Sequence, residues 1–282
     1  MKLRDEFLLV LMAAFFLFAC FAEAADPPHS PSIVLSNSAG EDIGKKSILE
    51  PSGICYHVER DSLFVVGDEG DIYELTTTGV LLRDWHIRDA DFEGVTHDPA
   101  TGLLYIAVEG EEKILEVSPK TFQVLREFPI ERTFEGKLLM KAKGQGIEAI
   151  TFAPDDAHPH GGTFFVANQA FRLDDANDVS GIFELEVPLK GGATESKATI
   201  LNYIPMQVID LSGLHYDPAS DHLFVISDAT NALFEMDRSG KIVNAYALPG
   251  DDQEGITLQD SGFLYIAQDS GGVIKIEWRP QR

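Results

Sequence analysis

One repeated unit constrains this chain more than any other feature. At 91–109 it reads Asp91, Phe92, Glu93, Gly94, Val95, Thr96, His97, a turn through Asp98 and Gly102, an apolar run at 103–108, and then Glu109. The same order recurs around Gly53, Ala149, Gly213 and Gly255: an acidic or hydroxyl residue, a Gly or Ala, a short apolar run, a turn, a second apolar run and a polar end. A third run of alternating character follows each pair, at 72–75, 114–117, 182–187, 233–236 and 273–277. Alternation with period two is the mark of a half-buried sheet, and no stretch shows a convincing amphipathic helix period. Turns such as Thr77-Thr78-Gly79 and Arg238-Ser239-Gly240 then lead into outer segments at 80–86 and 242–247. Three or four antiparallel strands per repeat describe an all-β chain folded as a β-propeller.

The Gly or Ala positions 53, 94, 149, 213 and 255 lie 41, 55, 64 and 42 residues apart. The first and last intervals fit one blade each. The two longer ones are too short for two blades, so they carry insertions, placed at 137–144 and 170–180. Five blades result, with a sixth, irregular one left open. Only three strands follow the fifth repeat, and a lone strand at 32–35 is expected to supply its missing outer strand, closing the ring without a free edge.

The first 24 residues read as a signal peptide and 25–282 as the propeller domain. Lys2 and Arg4 precede an apolar run at 7–21, and Ala22-Glu23-Ala24 offers a cleavage site. Leu17-Phe18-Ala19-Cys20 is a competing lipoprotein box, imperfect at Phe18, that would tie the protein to a membrane through a lipidated Cys20. The expectation is a monomer in the periplasm or beyond. With Cys20 removed or lipidated, Cys55 has no intrachain partner, and its apolar neighbours Ile54 and Tyr56 make it a buried, inert thiol.

Acidic residues number 46 against 22 Lys and Arg, a formal net charge of −24. That balance argues against nucleic acid as a partner, because phosphate recognition needs clustered cations. The hairpin arithmetic gathers the acids instead. In an antiparallel pair the start of the first strand faces the end of the second, and in a propeller the first strand lines the central channel. Glu93, Glu148 and Glu254 from strand starts therefore meet Asp68, Glu109, Gln169, Asp228 and Asp269 from strand ends, with Ser52 and Ser212 completing the ring. So many carboxylates around one axis repel one another unless a cation sits among them. Oxygen ligands from several segments suit Ca²⁺ as a bound metal ion, and no contiguous calcium loop is present. The alternative is that these groups only cap strand starts.

Other chemistry is poorly supported. His57, His97 and His215 share strands with core residues, and His158 and His160 lack a third ligand of metal spacing. No nucleophile elbow or nucleotide loop occurs. Arg132, Lys137, Lys141 and Lys143 form the one basic cluster, where Lys137, Lys141 and Lys143 are candidate anion ligands.

The segments Pro51-Ser52-Gly53-Ile54, Asp91-Phe92-Glu93-Gly94-Val95, Gly146-Ile147-Glu148-Ala149-Ile150 and Glu254-Gly255-Ile256 resemble the SdiA-regulated family, also called the YjiK/CarP family. The most specific part is Asp210-Leu211-Ser212-Gly213-Leu214-His215-Tyr216-Asp217-Pro218. The resemblance implies an exported bacterial propeller of the phytase-like superfamily, associated with calcium binding or calcium response and with the cell envelope. Ala149 departs from the usual Gly. The family points to a fold more firmly than to a reaction. Two functions stay open: a calcium-binding propeller, and a calcium-dependent phosphoesterase or lactonase.

Overall fold

The computed structural model describes residues 33–34, 40–44, 48–175, 177–190 and 197–278. The signal peptide and Cys20 lie outside the described residues. Among those residues every regular element is a strand. Two short strands come first, β1 (Ile33–Val34) and β2 (Glu41–Ile43). A first blade follows as β3 (Pro51–His57), β4 (Ser62–Gly67), β5 (Asp71–Thr76) and β6 (Leu81–His86). The second is β7 (Asp91–His97), β8 (Leu104–Glu109), β9 (Lys113–Val117) and β10 (Val124–Glu131). A small hairpin, β11 (Thr133–Phe134) and β12 (Lys137–Leu138), turns through Glu135 and Gly136, both at positive φ. The third blade is β13 (Ile147–Pro154), β14 (Gly162–Asn168), β15 (Gly181–Glu186) and β16 (Ala198–Pro205). The fourth is β17 (Leu211–Asp217), β18 (His222–Ser227), β19 (Ala232–Asp237) and β20 (Ile242–Ala247). The last is β21 (Gln253–Gln259), β22 (Phe263–Gln268) and β23 (Val273–Glu277).

The inner strands pack side by side in the order β3, β7, β13, β17 and β21, and β21 returns to β3, so the ring is closed. Hydrophobic clusters lie between successive blades. Phe64 and Val66 of the first blade meet Phe92 and Ile106 of the second, and Tyr265 and Ala267 of the last meet Leu63 and Val65 of the first. Each second strand is thus covered on both faces. That is why 62–67, 104–109 and 162–168 are buried throughout, whereas the outer strand β6 is exposed along most of its length.

The N-terminal segment closes the ring differently from the expectation. β1 runs parallel to β20, the outer strand of the fourth blade. The outer strand of the last blade is β2, antiparallel to β23 with Asp42 opposite Ile274. Glu41 and Asp42 are exposed, while Ile43 is buried toward Leu75 and Val273, which anchors β2 on the last blade. The outer strands β10 and β16 also pair, in parallel, joining the second and third blades into one eight-stranded sheet.

The recurring Gly has a steric cause. A Cβ on Gly94 would stand 2.7 Å from Ile150 N, one on Gly213 2.4 Å from Glu254 O, and one on Gly255 2.7 Å from Ile54 N. Inner strands therefore touch backbone to backbone around the axis. The channel narrows there to a neck of about 10 Å³, room for roughly one water.

A carboxylate-lined mouth on the propeller axis

The residue before the Gly or Ala is extra to the ladder in each blade. In β7, Phe92 pairs with Val108 and Gly94 with Ala107, which leaves Glu93 in a bulge. The same shift isolates Ser52, Glu148 and Ser212, and in β21 it spans Glu254 and Gly255. A bulge frees one residue from the pleat and re-aims its side chain. Glu93 lines the neck, as does Ser212.

Asp91, Glu93 and Glu109 form the tightest group, each offering one carboxylate oxygen within 4.8 Å of the others. Asp91 and Glu109 are cross-strand partners. Burial pushes the Glu93 carboxyl well above its ordinary range, and the charges of Glu148 and Asp91 push it further. Burial also raises Glu148, and its interaction with the neighbouring Glu109, followed by the charges of Glu254 and Asp91, raises it further. Burial raises Glu109 too, against the opposing hydrogen bond from Glu148. Gly146 N donates to Glu109 Oε1 at 2.6 Å, so Glu109 also clasps the start of the third blade.

Glu254 sits in a second acidic group. Burial, then Asp228, Asp210 and Asp269, lift its carboxyl to about 8. Asp228 is itself raised by burial while it accepts Gln253 N at 2.8 Å, the same blade-to-blade clasp as Glu109. Asp68 is pushed up to about 6 by burial and then by Glu50, Asp91 and Asp269. Strand capping and charge crowding therefore coexist: Glu109 and Asp228 satisfy backbone donors, whereas Glu93 and Glu254 have no such partner among the described residues. No Lys or Arg is ion-paired with any carboxylate of this mouth among the described residues.

Asp91, Asp210 and Asp252 were absent from the candidate ligands read from the sequence. All three stand three residues before the Gly, a third recurring acidic position that also holds Glu50. Glu50, Asp210 and Asp252 take positive φ where the chain turns into the inner strand. Gln169 Nε2 donates to Asp210 at 2.8 Å.

Lys141 and Lys143 lie on the segment that leads into Gly146, the residue whose N–H Glu109 accepts. The Lys141 ammonium is engaged by Asp178 and by Gln145 Oε1. Lys137 is exposed in β12, and Lys143 donates its backbone N–H to Glu112. Cys55 is buried, and burial pushes its thiol far above the ordinary range.

Two carboxylate oxygens on one calcium ion, each at a bond length of ~2.4 Å, can be at most ~4.8 Å apart. The Asp91, Glu93 and Glu109 oxygens fall inside that limit. Their hard, acidic donor set fits a divalent cation that prefers oxygen.

A sequence model of the SdiA-regulated family matches residues 45–270. No match is found among curated proteins. Solved structures with a similar fold include a proposed gluconolactonase, 13% identical over 88% of this chain and 84% of that one, with a TM-score of 0.51. A streptogramin B lyase is 15% identical over 85% and 73%, with a TM-score of 0.44. The Dos1 propeller is 12% identical over 77% of this chain, with a TM-score of 0.45, and only 53% of its own chain is spanned. At 13% identity the likeness to the proposed gluconolactonase is one of fold alone. With the family match extending over most of its length and the propeller ring in place, the chain belongs to the SdiA-regulated family.

Proposed function

We propose that this protein is an exported calcium-binding β-propeller of the cell envelope that serves calcium response or homeostasis. Asp91, Glu93 and Glu109 are the ligands, and Glu148 closes the site from the third blade. The observation that carries the reading is the convergence of three carboxylates within 4.8 Å, with no Lys or Arg ion-paired to them among the described residues. Export rests on the charged and apolar pattern of residues 1–24. A cation here must displace the protons that burial and crowding hold on Glu93 and Glu148, so binding releases protons and strengthens as pH rises.

Calorimetric titration with Ca²⁺ in buffers of different ionisation enthalpy tests this directly. The expected result is saturable binding with proton release, lost in the double variant Asp91→Asn/Glu93→Gln. No heat and no change in Tm on adding Ca²⁺ or EDTA would overturn it. A calcium-dependent phosphoesterase or lactonase would instead turn over phytate, aryl phosphates or lactones. Its anion ligand would have to come from elsewhere than Lys141, which Asp178 holds.

A further inference from the structure

The outer edges of the five blades are not finished alike. β10 and β16 pair with each other, β20 is covered by β1, and β2 completes the last blade on β23. β1 and β2, which then form the edges of the fourth and last blades, have only two and three residues. The first blade differs. β6 has six residues, it ends the sheet β3-β4-β5-β6, and among the described residues no strand pairs with its outer side. A bulge leaves Leu82 without a partner on β5, so the regular part of this edge is 83–86. An open edge of this kind presents backbone donors and acceptors that another strand can use, and very short edge strands are one way of avoiding that.

The side chains on and beside β6 are apolar where they meet solvent. Val80 and Trp85 are each 59% exposed, and Leu82 is 52% exposed. The neighbouring cations are already engaged. Arg83 donates to Glu74 and to the carbonyls of Pro119 and Lys120, and Arg88 pairs with Glu111 and Glu127. His86 lies between Asp71 and Asp89, 3.0 Å from each. Asp84 is exposed and has no ion pair among the described residues. It stands opposite Tyr73, whereas Trp85 stands opposite Ile72, so their side chains leave opposite faces of the sheet.

Charge selects the occupant. A second copy of this chain would bring a further net charge of −24 to an edge whose free charge is acidic, and an anionic membrane surface would meet the same repulsion. Residues 25–32 of the chain itself hold three prolines and no Lys or Arg, so they supply neither a regular ladder nor a cation. We propose that β6 is the docking edge for an extended segment of a partner protein in which Lys or Arg alternates with apolar residues, added as a further strand of the first blade. Its main chain pairs with 83–86, its cations share the face of Asp84, and its apolar residues share the face of Trp85. Main-chain pairing of this kind gives affinity, and the alternate side chains give specificity.

A short peptide of alternating Lys and Val is the probe. Two controls accompany it: the same peptide with Glu in place of Lys, and the Lys-Val peptide with its backbone amides N-methylated, which keeps the charge and removes the donors. Trp85 fluorescence reports binding, because Trp278, the other tryptophan, is buried. The expected result is a saturable blue shift with the Lys-Val peptide and none with either control. Asp84→Lys should weaken binding roughly tenfold, by turning a surface attraction into a repulsion, with circular dichroism and Tm unchanged. The proposal is overturned if the Lys-Val peptide gives no shift at millimolar concentration, if either control binds as well, or if Asp84→Lys binds as tightly as the native chain. It is also overturned if the protein alone sediments as a dimer with Trp85 emission already blue-shifted, which gives the edge to a second copy, or if phosphatidylglycerol vesicles shift the emission and the peptide does not.

Discussion

At the scale of the residue, the carboxylates of the acidic mouth are poised between repulsion and ligation. Glu254 has a carboxyl raised from 4.5 to about 8 by burial and its acidic neighbours. A carboxyl whose folded value exceeds its unfolded value binds more protons when folded. Its stabilising effect is therefore complete below pH 4.5 and is lost as pH rises through 8. Metal-free protein should show Tm falling over that window, and Glu254→Gln should flatten the slope, as read by thermal scans at fixed ionic strength. Saturating Ca²⁺ should restore Tm most at the alkaline end. Glu93→Gln should raise the metal-free Tm at pH 8, by relieving like-charge repulsion, and remove most of the response to Ca²⁺. Glu93 was legible in the sequence from its place before Gly94, but Asp91 was not. The pleat alone puts Asp91 and Glu93 on one face, and only the bulge at Glu93 and the pairing of Asp91 with Glu109 bring the three carboxylates together.

At the scale of the element, each blade is tied down at its centre and at its inner edge. In the first blade Glu74 on β5 is buried and receives Arg60 Nε at 2.7 Å, Ser62 Oγ at 2.9 Å and Arg83 Nε at 2.7 Å. These hydrogen bonds hold Glu74 below its ordinary range despite its burial. Glu74→Ala should lower stability by about 2–3 kcal/mol in urea unfolding, discounted from a fully buried pair because the arginines are partly in water. The inner edge is less forgiving. Gly213→Ala should cost about 3 kcal/mol or more, since its Cβ would meet Glu254 O at 2.4 Å, a backbone atom that cannot step aside. Ala149 shows that the third blade leaves room for a methyl group at this position, so Ala149→Gly should change stability by only ~1 kcal/mol. The strands themselves were readable from alternation and turns. The reason for the glycines was not, because it lies in the neighbouring blade.

At the scale of the whole molecule, the ring depends on a segment far from the last blade in sequence. β2 covers the edge of β23. Removing residues 33–44 should therefore lower Tm and promote association, measured by scattering during a thermal ramp, because an unpaired strand edge templates further pairing. A variant that keeps Glu41–Ile43 but removes 33–39 should retain most of the stability, since β1 contributes only a two-residue pairing to the fourth blade. The sequence by itself determined the strands, the repeat, the acidic face and the family, because these are written in local period and spacing. Tertiary structure alone decided which N-terminal strand completes the last blade, which acids share a site, and that the axis is pinched into two separate mouths. Those outcomes depend on contacts between blades tens of residues apart, and no local pattern encodes them.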